Sequence, residues 1–547
     1  MNNADLIVAI LKTAGIRRGF GVPSGNVLPL MEAMRAGGID FVLTAHEGSA
    51  GFAADVTARM TRTPGLCIAT LGPGATNLTT GVGCAFLDRS PLIAITCNLN
   101  EAQLGRRIQM WIDHEALFKP ITKASLKLRA GSIGTMVAEA LRIALTEPQG
   151  PVHLDLPEDV ALAEAEEDVA DPLLSRTSEN TPSPKSFPLS EEDLGGEAFT
   201  KAADILRRAR RPIAVIGASA MRMKRPEMLR DFIERHRIPF ASTTMAKGLI
   251  DEDHPLSLGC IERSCRQIQR RFIQGRGDLV IGLGYDTIEV EYEVWTGQLP
   301  VLHVDLQSAD VESSVNVVQE VVGDLDASIA ALTALKPAGY AWPEVDVADH
   351  RAAFQQALRP ATKNFSPHQA IDVVRRVLPR EGVLAFDVGA HTHQIASQWT
   401  AHAPRTFLIT NGWSSMGFGL PAAIAAKMAR PDLPVVCIIG DGCFQMTCGE
   451  LAVAQRERLA IPFVVLDDRW LSLIKVKQER RSFTHYGTEL SQDDYLRPPA
   501  HYFGVPAVGA RTAADLEREL MRALRAGGPT VIEALVDPAH YSDTVYD

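Results

Sequence analysis

Short apolar runs bounded by glycine or proline recur along the chain, separated by stretches whose apolar positions repeat every three to four residues. In the first third, GLCIATL (65–71), PLIAITC (91–97) and VHLDLP (152–157) read as buried strands, with Ser49–Met60 and Ile133–Leu145 as helices between them. Strands apolar on both faces and separated by helices predict a parallel sheet covered by helices. From Glu164 to about Gly195 the periodicity is lost and Ser, Pro, Thr and acidic residues accumulate, which predicts a linker. The rhythm returns at PIAVIGA (212–218), DLVIGLG (278–284) and PVLHVDL (300–306), pauses in a Pro/Ala-rich passage near Pro337–Pro343, and resumes from about Ser366. There GVLAFDVG (382–389), VVCIIGDG (435–442) and PFVVLDD (462–468) are the expected strands. The expected architecture is three α/β domains with parallel sheets, over residues 1–164, 195–340 and 365–547.

Composition narrows the function classes. A chain of 547 residues, 46% hydrophobic and 22% charged, is long enough for three or four packed domains and too apolar to be disordered. The net charge of −11 comes from 66 acidic and 55 basic residues with no basic block, which argues against nucleic acid as a partner. No apolar run approaches the ~18 residues of a membrane span, and MNNADLIVAILKT lacks a basic leader, so a cytoplasmic protein without membrane attachment is expected. Eight cysteines without CxxC spacing read as buried thiols.

The strongest chemical signal is Gly440-Asp441-Gly442 at the end of one expected strand, with Asp468 ending the next strand 27 residues later. Consecutive parallel strands joined through a helix, here expected over Glu450–Arg458, place their carboxyl ends side by side, so Asp441 and Asp468 should converge. Two hard oxygen ligands there suit Mg²⁺ shared with a phosphate, which glycines let approach the backbone.

This segment, GDGCFQMTCGELAVAQRERLAIPFVVLDDRW, resembles the metal motif of the thiamine diphosphate-dependent enzymes, in which Asn usually stands where this chain has Asp468. The resemblance implies a pyrimidine-binding first domain, a Rossmann-like central domain and a third domain that holds diphosphate and Mg²⁺ through Asp441, Asp468 and the carbonyl of Trp470, with Gly440, Gly442 and Cys443 beside the cofactor. Further matches extend it over nearly the whole chain. Ala45-His46-Glu47 implies Glu47 as the catalytic acid, its carboxyl group hydrogen-bonded to N1′ of the aminopyrimidine. LGPGATNLTTG (71–81) implies Gly72 and Asn77 at the cofactor, GVPSGN places Pro23 near the pyrimidine, and DVGAHTHQ implies a diphosphate-side loop with Val388, Gly389, Ala390 and His391. In NGWSSMGFGLPAA the Ser414 carbonyl would receive the 4′-amino group, and Met416 would wedge between the cofactor rings.

Substrate contacts are expected from Gln109 and His114, in a segment where IQM replaces the family's FQE, and from Lys475 and Gln478 after the metal strand. His46 and His393 are further candidate proton relays. TLGPGATNL, GFGLPAA and SLIKVKQERR are most similar to acetolactate synthases of the flavin-independent branch. Tyr285-Asp286-Thr287-Ile288 replaces the Arg-containing segment of the flavin-dependent relatives, which argues against FAD, and GLGYDT lacks the third glycine of a dinucleotide fingerprint. The implied reaction is decarboxylation of a 2-oxo acid, pyruvate first, with ligation to a second carbonyl compound. Alternatives are another decarboxylase, lyase or acetyltransferase of the same family, or a catalytically weak paralogue. A homodimer or homotetramer with Glu47 and Asp441 meeting across the subunit interface is implied as well.

Overall fold

The computed structural model describes residues 1–167, 196–491 and 498–545, so most of the expected first linker, 168–195, lies outside the described residues. The first sheet comprises β1 (Arg18–Gly21), β2 (Asp40–Leu43), β3 (Gly65–Thr70), β4 (Leu92–Asn98), β5 (Ala124–Lys127) and β6 (Pro151–Pro157), in the order β2-β1-β3-β4-β6-β5. All its pairings are parallel, as the doubly apolar strands require.

A second parallel sheet, ordered β12-β11-β10-β7-β8-β9, is built from β7 (Pro212–Ile216), β8 (Phe240–Ser242), β9 (Ser257–Cys260), β10 (Leu279–Leu283), β11 (Val301–Asp305) and β12 (Val317–Val322). The third contains β13 (Val383–Phe386), β14 (Phe407–Leu408), β15 (Val435–Gly440), β16 (Pro462–Asp467), β17 (His501–Tyr502), β18 (Val505–Ala510) and β19 (Thr530–Leu535). Its order is β14-β13-β15-β16-β19-β18-β17, parallel except for the β17–β18 edge hairpin.

Two elements depart from the sequence expectation. The single helix expected over Glu450–Arg458 is a broken one, Asp441–Thr447, a turn at Cys448–Glu450 and then Leu451–Arg456, because the chain coils immediately after Gly440. Helix Glu344–Ala357 was not foreseen: only Val347, His350 and Phe354 of it are buried, too thin and too polar a stripe to stand out.

The first and third domains share one core. Helices Glu47–Thr61 and Gly419–Ala429 pack across the boundary, with Phe52 edge-on to Phe418 at 5.6 Å between ring centres, so Cys67, Leu78, Leu420 and Ile439 belong to the same buried cluster. Among the described residues no helix is long and apolar enough to cross a membrane.

Candidate active site

Glu47 opens its helix directly after β2, where the His46 ring nitrogen Nδ1 accepts the Gly48 N–H at 3.0 Å and caps the first turn. Its carboxylate, 8% exposed, accepts the side-chain amide of Asn77 at 3.0 Å, and a Cβ on Gly74 would stand 3.2 Å from its other oxygen. That meeting depends on close helix crossing. A Cβ on Gly81 would lie 2.5 Å from the Gly51 Cα, so only glycine lets helix Pro73–Leu87 come near enough to present Asn77. From the other side the third domain holds the same loop: the N–H groups of Ala45 and His46 both donate to the buried carboxylate of Glu450, at 3.1 Å each.

Gly72 has φ +60°, and its N–H donates to His114 Nε2 at 3.3 Å. With Nε2 accepting, Nδ1 carries the proton and faces Asp155 at 3.0 Å, in a buried network with Thr96 and Asn98. His114 thus lies under the glycine-rich loop rather than in an open entrance. Its neighbour His153 is pushed down to about 3 by burial. Gln109 and Pro23 are exposed on adjoining loops.

In the third domain β15 and β16 pair with Gly440 opposite Leu466, which brings the two metal candidates together. Asp441 accepts the N–H of Gly442 at 2.8 Å and of Arg469 at 2.7 Å; Asp468 accepts the N–H of Trp470 at 2.9 Å and the Ser472 hydroxyl at 2.8 Å. Burial and the crowding of Asp441, Asp467 and Asp468 push the carboxyls of Asp441 and Asp468 well up, a like-charge contact that protonation or a cation would relieve.

Around this cluster the other candidates assemble. The buried Asp387 accepts the N–H groups of Val388, Gly417 and Gly419 at 2.8, 2.9 and 2.7 Å, tying the two cofactor loops together. The Cys443 thiol reaches the Val388 carbonyl at 3.0 Å. A Cβ on Gly442 would meet Leu471 at 2.9 Å and Met416 at 3.5 Å, so this glycine keeps space beside the methionine. Ser414 sits at φ +51° with its hydroxyl on the Asn411 carbonyl at 2.6 Å.

Other candidates are already engaged. The Gly389 N–H, expected to face a diphosphate, donates to Thr392 Oγ1 at 2.7 Å, which leaves Ala390 and His391 in the first turn of helix Ala390–Gln398. The His391 ring lies between Gly389 and Gly440, pushed down to about 4 by burial, and its Nε2 has no hydrogen-bond partner among the described residues. Lys475 pairs with Glu479 of its own helix at 2.9 Å, and Gln478 bonds Tyr486 and Thr488, so Gln478 braces the 481–490 loop. His393 bonds Glu262 of the central domain at 3.2 Å.

Three family models match the chain: "Thiamine pyrophosphate enzyme, N-terminal TPP binding domain" over residues 1–117, the central domain over 199–332, and the "C-terminal TPP binding domain" over 387–534. The chain belongs to the thiamine pyrophosphate enzyme family. The "Acetolactate synthase isozyme 1 large subunit" of Escherichia coli is 30% identical over 98% of this chain and 94% of its own length. The isozyme 2 large subunit of the same organism is 30% identical over 98% and 96%. The "Probable acetolactate synthase large subunit" of Methanocaldococcus jannaschii is 30% identical over 98% and 92%.

In this thiamine pyrophosphate enzyme the donor set fits the cofactor. Crowded buried carboxylates suit a divalent cation, first-turn amides suit a phosphate, and the unpartnered His391 nitrogen lies between the two loops. Sequence reasoning missed Asp387, which ties the two cofactor loops together, and Glu450. Glu450 is the more distant of the two. It read as an ordinary helix start, and nothing local ties it to a loop 405 positions away.

Proposed function

We propose that the chain catalyses thiamine diphosphate- and Mg²⁺-dependent decarboxylation of pyruvate and ligation of the remaining two-carbon unit to a second pyruvate, giving acetolactate and CO₂. The observation that carries this is the Glu47–Asn77 pair in the first domain together with the convergent Asp441 and Asp468 in the third, in a chain whose relatives bear the name acetolactate synthase. Asp441, Asp468 and the Trp470 carbonyl would hold Mg²⁺. Glu47, steadied by Asn77, would keep its carboxyl proton at the pyrimidine ring nitrogen, and Met416 would press on the bent cofactor. The bound cofactor would supply a nucleophilic carbon and an electron sink for the pair freed with CO₂.

No flavin is needed in this reading. The half-buried Glu289 carboxyl group takes the N–H groups of Ala218 and Met245, at 3.0 and 2.7 Å, at the edge of the central sheet where a nucleotide phosphate would otherwise find donors.

The working unit is a cytoplasmic homodimer or homotetramer in which Glu47 of one chain serves the Asp441 site of another. Leu28, Met110, Met446 and Phe483, 58%, 39%, 61% and 60% exposed, lie on or beside the cofactor loops and support a covering subunit. Pyruvate supplied to the protein with thiamine diphosphate and Mg²⁺ should disappear with acetolactate as product, read by mass spectrometry. Acetaldehyde as the sole product would replace ligation by simple decarboxylation, and cofactor binding without pyruvate loss would overturn the reading.

A further inference from the structure

A cavity of about 160 Å³ lies where the three domains meet, away from Glu47 and Asp441. Five arginines line it: Arg59, Arg62 and Arg89 from the first domain, Arg222 from the central one and Arg405 from the third. Three are already neutralised. Arg59 grips Asp55 and Asp88 at 2.5 and 2.8 Å, Arg89 meets Asp286 at 3.1 Å, and Arg222 meets Glu147 at 3.0 Å.

Arg62 and Arg405 are different. They donate to the carbonyls of Met223 and Met221 at 2.8 and 3.1 Å, and neither has a carboxylate partner among the described residues. Burial and the nearby Arg62 push Arg405 down to about 10, the mark of a cation without a counter-charge. Ala218 and Met245 also line the space, but their N–H groups are taken by Glu289, so recognition there falls to the guanidinium forks.

We propose that this cavity binds a phosphate group, free or as the head of a small ester, between Arg62 and Arg405. A dianion matches two unpaired guanidinium groups in both charge and fork geometry. The volume is well under the roughly 300 Å³ at which pockets for drug-sized ligands begin, which suits a small anion.

The position gives the site a role. Arg59 and Arg62 end the helix that Glu47 begins, and Arg405 precedes β14 and the loop to Met416. A bound anion therefore ties the far end of the Glu47 helix and the segment before β14 to the central domain.

The test uses the holoenzyme, with thiamine diphosphate and Mg²⁺, in phosphate-free buffer. Inorganic phosphate and glycerol 3-phosphate are titrated in separate arms, with sodium chloride matched for ionic strength and flavin adenine dinucleotide as a size control. Expected are a saturable rise in melting temperature and a calorimetric binding signal for at least one phosphate arm, the tighter arm identifying the source. Each of Arg62→Gln and Arg405→Gln should weaken binding about tenfold or more, with Arg62→Lys and Arg405→Lys recovering part of it as point charges. Should a Gln variant fail to fold, the Lys variant carries the comparison and must still bind more weakly than the wild type. An effect equal to that of chloride, Gln variants that bind phosphate like the wild type, or flavin that displaces phosphate would each overturn the proposal. The readout is binding, so its failure is separate from any failure of the acetolactate reading.

Discussion

Asp468→Asn changes one charge and almost no shape. Asn can still accept the Trp470 N–H, now 2.9 Å from Asp468, and can donate its amide to the Ser472 hydroxyl that Asp468 accepts from at 2.8 Å. What disappears is a negative charge beside Asp441, whose oxygen is bonded to the peptide N–H of Arg469 that directly follows Asp468. At a separation of about 5 Å, effective dielectrics between about 20 and 80 make that repulsion about 1–3 kcal/mol. Three effects follow with different signs. The metal-free protein should gain a few degrees in melting temperature as a buried like-charge contact is removed. Mg²⁺ should bind about five- to 100-fold more weakly, because a divalent ion loses one anionic ligand. Thiamine diphosphate at saturating Mg²⁺ should bind more tightly, because the diphosphate no longer faces the extra carboxylate. Calorimetric titration of each ligand, with the other held saturating, separates the last two. Unchanged affinities for both, or a parallel loss of both, would refute the electrostatic reasoning.

Glu47→Gln should lower turnover by about 10²–10⁴ in a steady-state pyruvate assay while thermal stability stays put. Glu450→Ala orphans the Ala45 and His46 N–H groups, so it should cost about 1–3 kcal/mol in denaturant unfolding and lower kcat through a loosened Glu47 loop. Gly81→Ala drives a methyl group to 2.5 Å from Gly51 and should destabilise by about 1–3 kcal/mol, with activity falling as Asn77 retreats from Glu47. Glu289 is raised by burial to about 8, so the folded protein holds a proton there that the unfolded chain has lost. Its contribution therefore favours folding below about pH 4.5 and fades as pH rises to about 8, and Glu289→Gln should flatten the fall of melting temperature across that window.

The parts of this site readable from sequence are those fixed by short-range rules. Asp441 and Asp468 follow from two apolar strands, an intervening helix and the adjacency of consecutive parallel strands, and β15 and β16 do pair. Glu47 was legible only through resemblance, since an acid at a helix start is otherwise unremarked. The rest depends on contacts between distant residues. Asn77 reaches Glu47 because two glycines let helices cross, Glu450 acts across 405 positions, and Thr392 captures an amide that the loop motif alone would leave to phosphate. Gln478 carries no mark in the sequence of the loop contacts that occupy it.

The Glu450 contact joins the first and third domains of one chain beside the loop that carries Glu47. The helix beginning at Asp441 runs into the turn ending at Glu450, so ten residues of broken helix carry the metal candidate at one end and hold the Glu47 loop of the same chain at the other. If that loop serves the neighbouring subunit's cofactor, Glu450 ties the metal candidate of one centre to the acid of the other through a single pair of hydrogen bonds.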